Sequence, residues 1–315
     1  MARFAVRRTF SMMLVLFAIS VLTFLIFQAI PNGDPAQRLA GRTSTPETVA
    51  AIRRTWGFDK PIYDQYLLTM KKVFTGRVVS YTQQVNVEHE IVQDLPPTLS
   101  LAIGAGIIWL TLGVGLGLLS AIRAGGLLDR GLTVLALVGV STPVFLLGAV
   151  MLYLLAYKLG LFPNGGYVGL TSDPLQWLTH MILPWCALSA LFIGFYSRVL
   201  RSNVLDSLHE DYVRTARAKG ISERRLLIRH VLRNSIIPIV SLWGLDFAAT
   251  IGGGAILTES VFNLHGVGQY AAQSIGELDV PPVLVIVMFG SFFVVLLSAL
   301  TDIVFALLDP RIRLS

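Results

Sequence analysis

The sequence is poor in cysteine and in charge: Cys186 is its one cysteine, and Asp, Glu, Lys and Arg make up 14% of its 315 residues. A lone cysteine excludes an intramolecular disulfide and any CxxC-type zinc site, and inside an apolar run it is expected to serve packing. The shortage of charge excludes a soluble chain. Globular domains carry roughly 25% charged residues, whereas here 54% of residues are hydrophobic and the mean hydropathy is +0.68. The surplus apolar surface must face lipid. Catalytic signatures are missing too: there is no GxxxxGK(S/T) phosphate loop, no HExxH and no GxSxG, and His89, His180, His209, His230 and His265 do not stand at ligand spacing. No bond chemistry, metal or cofactor is therefore expected of this chain. The inverted repeats that mark many secondary transporters are absent as well.

What the sequence does hold is six apolar stretches near the roughly 20 residues a spanning helix needs: 10–30, 98–122, 131–157, 181–200, 235–258 and 281–308. The first three contain no Asp, Glu, Lys or Arg, while the fifth and sixth hold one acid each, Asp246 and Asp302. Arg3, Arg7 and Arg8 precede a first stretch longer than the apolar core of a secretory signal, so it is expected to be a retained anchor. Six spans place both termini on one side. Of the 25 basic residues, nine fall in 198–233, and the short loops 158–180 and 259–280 contribute only Lys158. The positive-inside bias then points both termini and the basic loop to the cytoplasm. The expected organisation is a tip and first helix (1–30), an extracytoplasmic subdomain (31–97) that opens a capped helix at Thr45-Pro46-Glu47, and a five-helix core (98–315). The net charge of +6 and a pI near 9.6 are read as topology and partner docking, with no nucleic acid involved.

The cytoplasmic loop 198–235 sets nine basic residues against Asp206, Glu210, Asp211 and Glu223. Its pattern predicts two short helices. Val204, Leu208, Tyr212 and Ala216 recur at i+4 on the first, with Glu210 and Arg214 as an i,i+4 pair and Gly220 as the C′ glycine. Ser222 is the expected cap of the second, which carries Leu227 and Val231 on one face. Such an element either lies on anionic lipid or docks a soluble partner. The small residues Ala216, Ala218 and Gly220 favour docking, because they admit a partner's backbone.

Asp211-Tyr-Val-Arg-Thr-Ala-Arg-Ala-Lys-Gly220, followed by Arg233-Asn-Ser-Ile-Ile-Pro238, resembles the EAA-type loop of the dipeptide/oligopeptide/nickel branch of ABC importer permeases. The acid and first alanine of the generic pattern stand here as Arg214 and Thr215. The likeness continues through Asn32-Gly-Asp-Pro35, Phe58-Asp-Lys-Pro61 with Gln65-Tyr66, Leu95-Pro-Pro-Thr-Leu99, Pro163-Asn-Gly-Gly-Tyr167, Gly253-Gly-Ala-Ile-Leu-Thr-Glu-Ser-Val-Phe262, His265-Gly-Val-Gly268 and Leu308-Asp-Pro-Arg-Ile-Arg313, while Thr82–Glu90 is less familiar. The resemblance implies an all-α polytopic membrane protein with six transmembrane helices in the type I ABC importer permease fold, located in a prokaryotic plasma or inner membrane. It also implies a homologous second permease, two ABC ATPases that carry ATP and Mg2+, and an extracytoplasmic binding protein. The ATPases would dock on Glu210, Asp211, Arg214, Thr215, Ala216, Lys219 and Gly220. The implied cargo is short peptides; nickel chelates, glutathione or glycosides are the alternatives within the architecture, and a passive channel or membrane receptor is the alternative outside it.

Ionisable residues inside spans are functional candidates because burying charge in hydrocarbon is costly. Asp246 shares a helical face with Thr250 and Gly253. It is read either as a contact for a peptide ammonium group or as a structural partner of a polar group on the companion subunit. Glu259 is expected at the outer surface, solvated or attracting cationic substrate, and Asp302 is expected to be structural. Trp243, Phe145 and Tyr196 are candidate cavity aromatics. Gly252-Gly253-Gly254 marks either an unwound gate or close packing, and Gly113 with Gly117 forms a packing GxxxG. Pro143 and Pro184 are expected to kink the third and fourth spans.

Overall fold

The computed structural model describes residues 2–26, 36–37 and 45–308, except for the side chains of 2–8, 55–56 and 302–308. Asn32–Pro35, the 309–313 part of the terminal motif and the Asp302 side chain lie outside the described residues. Regular structure among the described residues is helical, with one isolated antiparallel bridge between Val79 and Asn86.

Helix α1 (Ala2–Phe24) carries the apolar stretch Thr9–Phe24 of the first expected span. Two short helices follow, α2 (Pro46–Trp56) and α3 (Ile62–Phe74). The cap expected at Thr45 is present: its hydroxyl accepts the Thr48 N–H at 3.3 Å, and Gly57 closes the helix at φ +76°. Tyr66 of α3 binds the Ser20 hydroxyl at 2.7 Å and packs edge-on against Phe24, which ties this segment to α1.

Helix α4 (Val87–Ile122) has 36 residues. At about 1.5 Å per residue it is about 54 Å long, well beyond a hydrocarbon core of about 30 Å. It begins inside the segment expected to be the outer subdomain, where the Asn86 side chain accepts the His89 N–H. The third expected span is not one helix. It is a pair, α5 (Leu127–Ser141) and α6 (Val144–Met151, continued by a π-helical stretch Leu152–Lys158), bent by 100°. Pro143 supplies no N–H, and a residue before proline is pushed out of the α region; Thr142 accordingly sits at ψ 123°.

Helix α7 (Pro174–Leu208) has 35 residues, overruns the expected 181–200 span at both ends and passes unbroken through Pro184. It packs along α4 over the most extensive helix pair among the described residues. Small residues allow this approach: a Cβ on Gly113 would lie 2.7 Å from Tyr196 Cβ, and one on Gly117 would lie 2.7 Å from the Ser197 carbonyl oxygen. The GxxxG reading is therefore correct. Trp109, Leu101, Tyr196 and Leu200 are fully buried in this seam. Cys186, expected to be packed, is exposed on α7.

After α7 come α8 (Asp211–Ala218) and α9 (Glu223–Leu226), which runs through a π-helical turn Leu227–Val231 into Leu232–Ser235. The fifth span is α10 (Ile237–Ala249) with a π-helical end Thr250–Gly254. Two short helices, α11 (Ile256–Phe262) and α12 (Val267–Gly276), lead to the last span, α13 (Val280–Leu308). The glycine run is both unwound and closely packed, which bears out the packing reading and gives the backbone break that a gate would need. Gly253 breaks the helix at φ +126°, and Gly252 meets Gly290 of α13 so closely that a Cβ on Gly290 would lie 2.5 Å from the Gly252 carbonyl oxygen.

Candidate functional site

At the end of the bundle that holds residues 45–97, three of the sequence motifs meet on one carboxylate and a fourth packs beside it. Glu259 of α11, beyond the end of the fifth span, is 0% exposed. This overturns its expected position in solvent. Thr98 of α4 donates its hydroxyl to Glu259 Oε1 at 2.8 Å, and the Gln269 N–H of α12 donates to Oε2 at 2.9 Å. The Val267 N–H in turn donates to Thr98 Oγ1 at 2.9 Å. A Cβ on Gly266 or Gly268 would stand 2.5 or 2.9 Å from Glu259 Oε2, so the glycines of His265-Gly-Val-Gly268 make room for this side chain. The Pro163-Asn-Gly-Gly-Tyr167 segment joins the same knot, since the Gly166 N–H donates to the Phe262 carbonyl at 2.8 Å. Burial pushes the Glu259 carboxyl up to about 6, opposed by the hydrogen bonds from Thr98 and from the Gln269 and Gly268 N–H groups, and the charge of Asp94 adds to the rise. Behind the knot lies a cavity bounded by Thr250, Gly253, Ile256, Glu259, Val287 and Gly290.

A second carboxylate holds the preceding loops at this end. Asp279, 2% exposed, accepts from the Ser80 hydroxyl, the Tyr81 N–H at 2.9 Å and the Thr82 N–H at 3.2 Å. The Thr82–Glu90 stretch, least familiar by motif, is thereby anchored to the turn that starts α13.

Inside the span region, Asp246 of α10 accepts the Tyr196 hydroxyl of α7 at 2.7 Å. It thus has one polar partner within this chain. Thr250, 3% exposed, donates its hydroxyl to the Asp246 carbonyl at 2.8 Å. Trp243 donates its indole N–H to the Gly106 carbonyl of α4 at 3.0 Å and stacks on Phe247 with ring centroids 5.0 Å apart. Asp246, Thr250 and Trp243 therefore form one group with Tyr196, in which α10 meets α4 and α7. Phe145, 47% exposed on α6, is not part of it.

At the opposite end, α8 presents the basic loop. Val213 and Ala216 are its buried residues, while Asp211, Tyr212, Arg214, Thr215, Arg217 and Ala218 are exposed. The stripe predicted through Val204, Leu208, Tyr212 and Ala216 is broken at His209–Glu210: its first two residues belong to α7, and Ala216 turns inward against the chain's own core. The expected Glu210–Arg214 pair is replaced. Arg214 lies 3.7 Å from Asp211, and Arg217 reaches across the turn to Glu223 at 2.7 Å. That guanidinium holds the Glu223 carboxyl below the usual carboxylate range. Glu210 stands at the N-cap position and Ser222 at that of α9, neither with a side-chain cap bond. Thr215 donates its hydroxyl to the Asp211 carbonyl. Lys219 ends the helix and Gly220 follows at φ +76°, which confirms the predicted break.

Sequence reasoning missed the ion pair that supports this loop. Asp129, 4% exposed, accepts both Arg201 Nε at 2.7 Å and Nη2 at 2.8 Å, together with the Ser120 hydroxyl and the Gly125 N–H at 2.8 Å. It clamps the α4–α5 connection to the end of α7 that leads into α8. The available signal was Asp129 and Arg201 themselves, two charges bordering apolar stretches.

The profile of the binding-protein-dependent transport system inner membrane component matches residues 113–314, and that of its N-terminal region matches residues 1–102. The chain belongs to this family. As an inner membrane component it is a multi-pass transport subunit. The probable peptide ABC transporter permease y4tP of Sinorhizobium fredii is 37% identical over 99% of this chain and 100% of its own length. The di/tripeptide transport system permease DppB of Pseudomonas aeruginosa is 33% identical over 99% of both chains, and the dipeptide permease DppB of Lactococcus lactis is 33% identical over the whole of both. Among solved structures, the inward-facing MetNI methionine ABC transporter superposes with a TM-score of 0.55 at 16% identity, over 70% of this chain and 96% of that one. This likeness shows the type I importer permease fold and nothing further.

Proposed function

We propose that this family member imports short peptides, together with a homologous second permease, two cytoplasmic ATPases that bind ATP and Mg2+, and an extracytoplasmic binding protein. One observation carries the substrate class: relatives aligned over essentially their full length are named as peptide or dipeptide permeases. The positive-inside bias of the basic 198–233 loop supports a cytoplasmic position for the α8 end, which turns the Glu259 knot outward. In that orientation α8 is the coupling helix. Its exposed face, Asp211, Arg214, Thr215, Lys219 and Gly220 with Glu210 ahead of it, meets an ATPase groove, while Val213 and Ala216 anchor it to the chain's own helices. Closure of the ATPases moves α8, and the Asp129–Arg201 clamp passes that motion to α4, α5 and α7. Asp246 and Trp243 contact the peptide in transit, with Asp246 facing the ammonium group and the buried Thr250 bracing its backbone.

Uptake into proteoliposomes tests the whole reading. Di- and tripeptides should accumulate only with the ATPases and ATP, and glutathione, glycosides or nickel chelates should not compete; peptide uptake without ATP would sink it. Coupling is tested by Gly220→Val. Nothing lies within 4 Å of a Cβ at this site, so the change strains only the turn. Stimulation of ATPase activity by loaded binding protein should fall roughly tenfold, within the range of coupling free energies, and unchanged stimulation would remove α8 from this role. For Asp246→Asn, the amide oxygen still accepts the Tyr196 hydroxyl while the charge is lost. Substrate stimulation should change with assembly intact; loss of assembly with normal stimulation would make Asp246 purely structural.

A further inference from the structure

The helix formed by residues 223–235 has two unlike faces. Leu226, Val231 and Ser235 are buried, and Ser235 bonds Asn203 and Ser207 of α7. The other face exposes Arg224, Arg225, Arg229 and Arg233, which line a shallow open groove with Ser222 and Ile228. Among the described residues no carboxylate pairs with any of these four arginines; the nearest acid in sequence, Glu223, is engaged by Arg217.

The groove stands close to the start of the fifth span. Ile236 keeps helical dihedrals and the backbone bonds Ile236 N–H to Leu232 and Val240 N–H to Ile236 carry the helix into the fifth span, Ile237–Gly254. Arg233 and Arg229 are therefore at most about 6 and 12 Å of helical rise from the start of that span. A bilayer's headgroup layer is about 5–8 Å deep on each side, and an arginine stem reaches several ångströms further along an apolar surface. Ile228, 53% exposed, lies between Arg224 and Arg229 and gives the groove an apolar contact beside its charges, as the boundary between headgroups and acyl chains requires. A planar guanidinium binds phosphate through two parallel hydrogen bonds, and several line this groove with no competing carboxylate among the described residues.

We propose that Arg225, Arg229 and Arg233, with Arg224 beside them, form a binding site for the phosphate headgroup of an anionic phospholipid. The lipid would hold the return helix of the coupling loop against the bilayer surface while α8, further out, stays free for its partner. The site does not depend on which solute is carried or on how α8 couples.

The test is binding of fluorescent phosphatidylglycerol to the assembled complex in neutral detergent, with phosphatidylcholine as the reference lipid. Wild type should prefer phosphatidylglycerol, and the Arg225→Gln, Arg229→Gln, Arg233→Gln triple variant should bind it on the order of a hundredfold more weakly, since each basic side chain near an anionic surface contributes about a factor of five. The matching triple lysine variant should stay within about tenfold of wild type, because charge is kept and only the fork geometry is lost. No preference in wild type, a variable that the folding of no variant can affect, would overturn the proposal. Equal binding by the glutamine variant would do so too. Competition by millimolar inorganic phosphate as effective as that by unlabelled lipid would assign the site to free phosphate. Loss of ATPase co-purification in the glutamine variant with lipid binding intact would assign it to the protein partner; either result also overturns the lipid site.

Discussion

Replacing Glu259 by Ala should lower the unfolding free energy of the chain by about 4 kcal/mol, because the Thr98 hydroxyl and the Gln269 N–H would each lose a buried acceptor at about 1–3 kcal/mol apiece and a cavity would open beneath Gly266 and Gly268. The Gln variant separates shape from charge. The folded carboxyl titrates at about 6, above its ordinary 4.5. Between those values the folded chain holds a proton that the unfolded chain has released, so this group's stabilisation is complete below pH 4.5 and is lost as pH rises through 6. A shift of this size corresponds to about 2 kcal/mol. Glu259→Gln, neutral throughout, should therefore gain on wild type by that amount across the interval. Thermal melts of the detergent-solubilised complex from pH 4 to 7 measure this, and curves that stay parallel would show that the carboxylate does not titrate in the knot.

Much of this architecture was legible in the sequence, for identifiable reasons. A spanning helix declares itself by composition alone, so the stretches that became α4, α7, α10 and α13 stood out, and the Lys219-Gly220 pair announced the break after α8 because only glycine takes φ +76° without cost. What stayed hidden depended on which residues meet. Glu259 looks like a surface acid because its three donors come from Thr98 and from Gly268 and Gln269, and no local pattern shows α4, α11 and α12 converging. The motif segments were nevertheless visible separately, and their convergence on one carboxylate explains why the glycines of His265-Gly-Val-Gly268 stand where they do. Pro143 signalled a kink, but the 100° bend also needs α6 to pack against α7 and α11. Cys186 could not be placed, since an unbroken apolar run does not tell a buried helix face from an exposed one. The helical stripe from Val204 to Ala216 failed for the opposite reason: periodicity ran on across His209–Glu210, where the backbone leaves the helix.

Asp129→Ala should destabilise the complex by about 3 kcal/mol, at the low end of the range for breaking a buried ion pair, because the Arg201 side chain is a third exposed and water can repair part of the loss. The cost has two sources, the unpaired guanidinium and the orphaned Ser120 hydroxyl and Gly125 N–H. Arg201→Ala leaves instead a carboxylate that is 5% exposed, still served by Ser120 and Gly125. The double variant removes both charges, so its loss should be smaller than the sum of the singles by about 1–3 kcal/mol, the coupling expected of groups in one network. Arg201→Lys should recover little, since an ammonium cannot reproduce the two parallel bonds to Oδ1 and Oδ2. These values come from melts; the mechanical role needs a second readout. If the clamp carries motion from α8 into the spans, then Asp129→Ala should weaken stimulation of the ATPases by loaded binding protein even at temperatures where the complex is fully folded, and the double variant should not restore it, because it regains stability without regaining the link. Stimulation that tracks stability through all four variants would mean that Asp129 and Arg201 hold the fold together and transmit nothing.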